Sequence, residues 1–434
     1  MTEKMKPSAI AWIGNIPESW DIGRVKDYYT LQTGFTPDTS VSEYYDNENG
    51  YLWASIADID KDKHIYDTKS KVSDLYVREK HPASSPEGSL LYSFKLSVGK
   101  VAFLGKEMFT NEAIASFANS PNICLAFLYY SSMFIEENAN RNIYGAKILN
   151  QDLIKNAHIV FPPLIEQCAI ADYLDTQCAK IDSVIADIEK QIETLQKYKK
   201  SLITETVTKG LDRAVPMKDS GIEWIGEIPK HWGINKTRYL ANLCSGATPS
   251  KDVYSYWEGD IPWVSSQEVK TDIIADTSLH ISEEAIRSCS TKLMPPGTLV
   301  MVVRSGILQH TIPVALLGVP ATINQDIKAF VFKPEMISAF YKYYIQGEND
   351  ALLNVLIKDK TTVESIDNNL LLSLRIMVPP VQEQKDIVSY LDERCNEIDT
   401  IVTDKQAQLD VIIQHKKSLI YEYVTGKKRV TEVN

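Results

Sequence analysis

Apolar residues recur every seven positions in two long stretches of the chain. In the first stretch, from Leu164 to Thr208, the repeat is carried by Leu174, Ile181, Ile188, Leu195 and Leu202. In the second, from Val381 to Val424, it is carried by Leu391, Ile398, Ile412 and Leu419, with Lys405 as an interruption. Charged residues flank both repeats, as they do in a coiled-coil seam. The pattern predicts two helices, each roughly 60 Å long at 1.5 Å per residue.

Proline pairs precede both predicted helices, and Gly210 follows the first, which agrees with ordinary helix start and stop signals. An amphipathic helix of this length must bury its seam against another surface. The second helix is the natural partner for the first. Because a folded segment connects them, we expect the two helices to pack antiparallel.

The two helices belong to a longer internal repeat. The segment WIGNIPESW at 12–20 recurs as WIGEIPKHW at 224–232, and Gly34 with Thr36 and Pro37 recurs 212 residues later. The segment PPLIEQ at 162–167 recurs as PPVQEQ at 379–384, and Tyr-Leu-Asp and Ile-Asp pairs follow in both copies. Between these matched zones the copies diverge, so we expect the shared parts to do the same work twice and the middles to do different work.

The divergent middles, at about 23–160 and 235–377, have frequent Gly and Pro breaks between short apolar runs. These runs predict strands at Gly99–Leu104, Leu299–Val303 and Ala329–Phe332. Helices are predicted near Leu125–Glu137 and Ile337–Ile345. The predicted fold class is α+β, with two globular domains related by a pseudo-twofold internal repeat and joined by the two long helices.

Catalytic signatures are missing from the sequence. There is no phosphate-binding loop, and Phe161 and Val378 precede the proline pairs where an amino-methyltransferase needs Asn or Asp. The histidines have no metal-ligand spacing, and the cysteines form no CxxC pair, so reduced thiols in a cytoplasmic protein are expected. No apolar run reaches membrane-spanning length. The net charge of -11 argues weakly against nucleic acid, although a basic face can lie on an acidic body.

The order and spacing of the duplicated motifs resemble the specificity subunit of type I restriction–modification systems. The resemblance rests on the two WIGxIPxxW segments, the two PPxxEQ helix starts with their Tyr-Leu-Asp continuations, and the segment from Leu91 to Phe103 followed by Asn111-Glu112-Ala113. It covers nearly the whole chain. Each motif alone is only moderately specific, whereas their duplicated order is highly specific.

This resemblance implies two target recognition domains, at 1–160 and 211–377, and two helical spacers, at 161–210 and 378–434, that form an antiparallel coiled coil. Each domain would read one half of a bipartite, asymmetric target in double-stranded DNA. The helices would dock two methyltransferase subunits, which carry S-adenosylmethionine, and restriction/translocase subunits would join the complex. The chain itself would have no catalytic residues, no cofactor and no metal.

Candidate DNA-binding residues are basic or polar side chains in predicted loops, where base edges and phosphates are contacted. In the first domain they are Lys95, Lys100 and Lys147, and in the second Arg304, Ser305, Lys358, Lys360 and Thr361. A solvated surface charge is an equally weighted alternative for each. The resemblance assigns partner docking to Glu166, Gln167, Glu383 and Gln384, which otherwise read as charges favourable to a helix N-terminus.

Two alternatives for the function remain at this point. The chain could be a coiled-coil interaction adaptor without DNA specificity of its own, or an enzyme with unrecognised chemistry. For Trp53 and Trp263, which occupy near-equivalent positions, core packing is favoured over base stacking.

Overall fold

The computed structural model describes residues 4–59, 62–95, 97–137, 139–141, 147–289, 291–357 and 364–430. The chain forms two compact units. The first comprises Met1–Ile188 and Gln408–Asn434, and the second comprises Glu189–Ala407. Each unit therefore contains one mixed α and β domain, called here the first and second sheet domains, and a segment of each long helix.

The first sheet domain consists of short strands and short helices that precede the first long helix. Its strands are β1 (Met5–Pro7), β2 (Asn15–Pro17), β3 (Asp21–Arg24), β4 (Leu31–Thr33), β5 (Tyr51–Ala54), β6 (His64–Ile65), β7 (Lys71–Val72), β8 (Leu90–Ser93), β9 (Val101–Leu104), β10 (Phe109–Thr110), β11 (Ile114–Phe117), β12 (Asn140–Arg141), β13 (Lys147–Ile148) and β14 (His158–Phe161). Its helices are α1 (Val25–Tyr28), α2 (Asp74–Lys80), α3 (Leu125–Ser131), α4 (Met133–Glu136) and α5 (Gln151–Lys155). The first long helix is α6 (Leu164–Lys209).

The second sheet domain has the same kind of composition. Its strands are β15 (Met217–Asp219), β16 (Glu227–Pro229), β17 (Gly233–Lys236), β18 (Ala241–Ser245), β19 (Ile261–Val264), β20 (Ile273–Ile274), β21 (His280–Ile281), β22 (Leu299–Val302), β23 (Val314–Leu317), β24 (Thr322–Ile323), β25 (Ile327–Phe332) and β26 (Arg375–Val378). Its helices are α7 (Thr237–Leu240), α8 (Glu283–Ser288), α9 (Ser338–Gly347), α10 (Asn349–Leu356) and α11 (Asn368–Ser373). The second long helix is α12 (Val381–Val424).

Sheet topology is the same in both domains although their sequences diverge. A five-stranded sheet has the order β4-β11-β8-β9-β6 in the first domain and β18-β25-β22-β23-β20 in the second. A three-stranded sheet has the order β10-β5-β7 in the first and, read in the equivalent direction, β24-β19-β21 in the second. Both five-stranded sheets end in a parallel pair, β6 with β9 and β20 with β23. The repeat therefore extends through the divergent middles as a repeat of fold.

The predicted helices and strands are confirmed with small changes at their ends. Helix α6 begins at Leu164 as predicted and extends one residue beyond Thr208, and α12 has the predicted bounds. The strands predicted around β9, β22 and β25 are present. The first predicted short helix is divided into α3 and α4.

Antiparallel contacts join α6 and α12 within each unit. In the first unit, Asp182 lies 2.6 Å from Lys416, and the rings of Tyr173 and Tyr423 are 4.6 Å apart. In the second unit, Lys199 lies 2.7 Å from Asp399, and Lys405 donates to the Gln191 side chain. Asp399 and Lys416 lie 217 residues after Asp182 and Lys199, so the two ion pairs are copies of one another. Lys405, which interrupts the apolar repeat of α12, therefore has a polar partner on α6.

The repeated Gly-x-Thr-Pro motif lies where the five-stranded sheet meets the three-stranded sheet. A Cβ atom on Gly34 would lie 1.7 Å from the Thr110 carbonyl oxygen, and one on Gly246 would lie 1.7 Å from the Ile323 carbonyl oxygen. Both obstructing atoms belong to backbone, which cannot swing away as a flexible side chain can. The close approach of two backbones therefore requires glycine in both copies.

We predict that Gly34→Ala and Gly246→Ala each lower the free energy of unfolding by about 2–3 kcal/mol, because the added methyl forces the strand and the loop apart. Gly306→Ala is the matched control, since a Cβ there meets no atom within 4 Å, and a change below about 0.5 kcal/mol is expected. Chemical denaturation of the three variants measures the difference. Equal stability of all three would contradict the steric argument.

Glu348 lies at the junction of α9 and α10 and is only 6% exposed. Burial raises its pKa to about 7, although Lys200 and Lys209 act in the opposite direction. Because its pKa in the folded protein exceeds the ordinary value of 4.5, ionisation favours unfolding. The stability that the protonated carboxyl contributes is fully present below pH 4.5 and is lost as the pH rises to about 7.

We therefore predict that Glu348→Gln changes the stability little at pH 5 but increases it by on the order of 1–2 kcal/mol at pH 8.5, where the wild-type carboxylate is charged. Thermal melting at the two pH values measures this difference. Glu284→Gln, on the exposed face of α8, serves as the control. A stabilisation that is the same at both pH values would show that burial of the charge is not its cause.

Candidate nucleic-acid interface

In each sheet domain, a set of loops lies at one end of the five-stranded sheet, and the two sets are equivalent in topology. In the first domain β4 and β8 finish at this end, whereas β9 and β11 begin there, since β11 is antiparallel to both β4 and β8. The second domain brings together the ends of β18 and β22 and the beginnings of β23 and β25. We call this end of each sheet the loop end.

Lys95 and Lys100 lie at the loop end of the first domain and are both exposed. Lys95 follows Phe94, whose backbone N–H donates to the Ala113 carbonyl at 2.9 Å and holds the loop beside β11. The Lys95 ammonium lies 5.9 Å from the centre of the Phe94 ring. The Lys100 ammonium donates to the Ile59 carbonyl at 3.0 Å. The structure thus brings these two predicted residues together in one hairpin.

Lys147 lies beside this hairpin and is half-buried. Its ammonium is 2.8 Å from Glu136 and 3.8 Å from Glu137. The Glu136 carboxylate also lies next to Gly99, in the turn of the hairpin: a Cβ atom on Gly99 would be 3.0 Å from Glu136 Oε2. Two carboxylates already compensate the charge of Lys147, so this lysine is a weaker candidate for a phosphate contact than Lys95.

Arg304 and Ser305 occupy the equivalent place in the second domain. The Arg304 backbone N–H donates to the Asp326 carbonyl at 3.3 Å, and its side chain is exposed. The Ser305 hydroxyl accepts a hydrogen bond from the Ile307 N–H at 3.5 Å and caps a short 3-10 turn. Ser305 therefore has a local structural role in addition to the predicted one. Lys358, Lys360 and Thr361 lie outside the described residues.

A further pair of side chains at each loop end was not among the predicted site residues. The Thr36 hydroxyl donates to Glu112, and the Thr248 hydroxyl donates to Gln325 at 2.5 Å. Both acceptors are exposed and lie two residues beyond the end of β10 or β24. The signal was present in the sequence, since the threonines belong to the repeated Gly-x-Thr-Pro motif. The two domains thus present a carboxylate and an amide at equivalent positions, and these groups have different hydrogen-bonding properties.

The four predicted docking residues make equivalent intramolecular contacts at the starts of the long helices. Glu166 accepts a hydrogen bond from the Trp20 indole at 3.0 Å and pairs with Arg429. Glu383 accepts from the Trp232 indole at 3.0 Å and lies 2.8 Å from His231. Burial raises the pKa of Glu166, and the Trp20 hydrogen bond opposes that shift.

The two glutamines are buried and join each long helix to its sheet domain. Gln167 accepts from the Cys124 N–H at 3.1 Å and donates to the Pro162 carbonyl at 2.8 Å. Gln384 accepts from the Ile337 N–H at 2.8 Å and donates to the Pro379 carbonyl at 2.8 Å. Partner docking stays a prediction for the two glutamates, but the glutamine side chains have almost no surface with which to contact a partner.

Trp53 and Trp263 pack in the core, as predicted. Their exposed fractions are 7% and 6%. Each indole N–H donates to a backbone carbonyl in the loop that contains the Gly-x-Thr-Pro motif, Trp53 to Phe35 at 2.9 Å and Trp263 to Ala247 at 3.0 Å. Both tryptophans therefore hold that loop in place and are not available for base stacking.

Metal ligation and membrane crossing find no support in the described part of the chain. No group of His, Cys, Asp and Glu there is arranged to hold a metal ion. None of the described helices combines the length and the apolar character that crossing a bilayer requires. None of the six cysteines is paired in a disulfide; Cys178 and Cys395 are buried and the other four are half-buried.

Comparison with known proteins gives one consistent family. Residues 17–194 and 229–410 match the type I restriction modification DNA specificity domain, so this domain occurs twice. The chain belongs to the type I restriction–modification DNA specificity family. Each matched range includes a sheet domain, apart from its first two short strands, and most of the long helix that follows it.

Relatives of known name agree with this assignment. The chain is 26% identical to the type I restriction enzyme MjaVIII specificity subunit of Methanocaldococcus jannaschii, over 96% of this chain and 95% of that one. It is 36% identical to the EcoR124I/EcoR124II specificity subunit of Escherichia coli, over 42% of this chain and 43% of that one.

Solved structures share the fold of the specificity domains. A chain from a study of complex assembly and conformational transition of the type I R-M system gives a TM-score of 0.72 at 15% identity, covering 95% of this chain and 99% of that one. The HsdS subunit of Thermoanaerobacter tengcongensis gives a TM-score of 0.50 at 15% identity, over 95% and 98% of the two chains. The two mixed α and β domains and the long helices therefore recur at low sequence identity.

We predict that Lys95→Ala and Arg304→Ala each weaken DNA binding by the assembled methyltransferase complex by roughly threefold to tenfold. Each should also reduce the slope of log affinity against log salt by about one for every phosphate that the side chain neutralises in the wild-type complex. Fluorescence anisotropy at several salt concentrations measures both effects. Lys106→Ala is the matched control, because Lys106 is exposed at the opposite end of the same sheet. Equal effects at Lys95 and Lys106 would exclude a special role for the loop end.

Proposed function

We propose that this specificity subunit reads a bipartite, asymmetric target in double-stranded DNA, with one half read by each sheet domain. The observation that carries the proposal is the contrast between a duplicated fold and different side chains at its loop ends. Lys95 and Glu112 stand in the first domain where Arg304 and Gln325 stand in the second. Arg and Gln favour guanine and adenine in the major groove, whereas Glu accepts from cytosine. Equivalent scaffolds with different loop ends are suited to two different half-sites.

The long helices support the proposal because they can act as a spacer between the two sheet domains. In each unit, α6 and α12 run in opposite directions, joined by the copied ion pairs Asp182 with Lys416 and Asp399 with Lys199. We propose that these contacts are parts of one antiparallel coiled coil, in which the polar pair Lys405 and Gln191 helps to set the register. A spacer of fixed length would leave an unread stretch of fixed length between the half-sites, as half-site geometry does in other two-headed DNA readers.

Catalysis in the proposed complex belongs to partner subunits. Two methyltransferase subunits would bind the duplicated helices and carry S-adenosylmethionine, and restriction/translocase subunits would join for cleavage. The specificity subunit would contribute no catalytic residue and no cofactor, and the complex would act in the cytoplasm. The missing methyltransferase motif at Phe161 and Val378 supports this division of work.

The alternative, an adaptor without DNA specificity of its own, is less well supported. An adaptor needs the helices but has no use for two complete sheet domains with distinct exposed loop ends. The match to a DNA specificity domain over both copies also favours DNA reading. We therefore keep DNA reading as the function of both sheet domains.

The direct test is to express the chain with its methyltransferase partner in a host that lacks other modification systems and to map the modified adenines. We expect one motif with two unlike halves and a fixed unread spacer. The methyltransferase expressed alone is the control and should leave no such motif. A continuous motif, or the same motif without the specificity subunit, would contradict the proposal.

A further inference from the structure

The Tyr-Leu-Asp motif that follows each helix start joins the long helix to its sheet domain. In the first unit the Tyr130 hydroxyl, on α3, donates to the Asp175 carboxylate on α6. In the second unit the Tyr343 hydroxyl, on α9, donates to Asp392 on α12 at 2.6 Å. Asp392 lies 217 residues after Asp175, and the Ala-Phe-x-x-Tyr segment that ends in Tyr130 recurs with Tyr343, so both partners of the hydrogen bond are present in both copies.

Each sheet domain is thereby attached to its long helix at two polar points, in addition to the apolar packing of residues such as Leu174 and Leu391. The buried glutamine binds the residue that caps the N-terminus of α3 or α9. The aspartate, eight residues later on the long helix, binds a tyrosine within the same short helix. Eight residues correspond to roughly 12 Å along a helix. Apolar packing is non-directional, whereas two hydrogen bonds at this separation favour one angle between the domain and the helix.

Both tyrosines are buried and remain protonated. Their exposed fractions are 8% for Tyr130 and 3% for Tyr343. Burial raises the pKa of both phenols, and the hydrogen bonds to Asp175 and Asp392 raise them further. Each hydroxyl therefore remains protonated and donates throughout the physiological range.

Charged neighbours reinforce the two attachments differently. Lys63, just before β6, donates to the same Asp175 oxygen as Tyr130 and so ties the edge of the five-stranded sheet to α6. In the second unit the residue just before β20 is Asp272, which pairs with Lys342 of α9 at 2.7 Å and leaves Asp392 to Tyr343. The tyrosine–aspartate bond is the element common to both copies, and the lysine contact is an addition in the first.

We propose that the hydrogen bonds Tyr130–Asp175 and Tyr343–Asp392 position the two recognition domains, setting the angle at which each presents its loop end and hence the length of the unread spacer that the complex accepts. These four are positioning residues, remote from the loop ends themselves. The inference rests on the proposed function, because it concerns how the two half-sites are brought into register.

The test uses the complete methyltransferase complex and duplexes that carry the wild-type half-sites with the native spacer or with one base pair more or fewer. The variants are Tyr343→Phe, and Tyr130→Phe combined with Lys63→Met, which removes both donors to Asp175. We expect discrimination between native and altered spacers, measured as the ratio of kcat/KM values for methyl transfer, to fall by roughly fivefold to tenfold, the size expected for one typical intramolecular hydrogen bond.

Two controls separate positioning from general damage. Tyr198→Phe makes the same chemical change at a 57% exposed site on α6 and should leave discrimination unchanged. Asp392→Asn keeps an oxygen that accepts from Tyr343 and should retain discrimination, whereas Asp392→Ala should lose it. A merely structural role would lower activity on all spacers equally, and that result, or unchanged ratios in both test variants, would overturn the inference. No methylation by the wild-type complex would instead refute the proposed function.

Discussion

The architecture depends on a buried hydrogen-bonded junction at the start of each long helix. There the Glu-Gln pair receives an indole N–H from Trp20 or Trp232 and a backbone N–H from the first turn of a sheet-domain helix. Buried polar groups of this kind are costly when unpaired and favourable when every partner is present. The junction therefore specifies one arrangement of three elements: the tryptophan segment, the sheet domain and the long helix. Its geometry is the same in both units, to within a few tenths of an ångström in each indole and glutamine hydrogen bond.

This constraint explains which parts of the repeat were kept and which diverged. The tryptophan segments, the Glu-Gln pairs and the Tyr-Leu-Asp segments all contribute to attachment, so a change in any of them disturbs the orientation of a whole domain. The exposed basic side chains at the loop ends, such as Lys95 and Arg304, contribute to no such junction and can vary at little cost to the fold. A scaffold of this kind allows the target sequence to change while the geometry of reading is preserved.

Much of this organisation could be predicted from the sequence, because long-period patterns record it directly. The heptad repeat gave both long helices to within one residue, and the duplicated motifs gave the pseudo-twofold repeat. The common topology of the two sheet domains could not be predicted, since it depends on pairings between strands of two to six residues that have no periodic signal of their own. For Glu166, Gln167, Glu383 and Gln384 the resemblance implied partner docking, and nothing in the sequence indicated their intramolecular contacts. Partners of these residues in other segments lie 43 to 263 residues away, which no local pattern reveals.

The central claim, that each sheet domain independently reads one half of the target, is tested most directly by duplicating one domain. In each domain one backbone hydrogen bond joins the first and last residues of the part to be exchanged: Val25 N–H donates to the Ala157 carbonyl at 3.0 Å, and Thr237 N–H to the Leu374 carbonyl at 2.9 Å. Residues 25–157 can therefore replace residues 237–374 at matched junctions. The measurement is a map of the bases methylated by the complex that contains this duplicated-domain chain. The account predicts a symmetric target in which the first half-site occurs twice as an inverted repeat. Methylation of the original asymmetric target by the duplicated chain would contradict it.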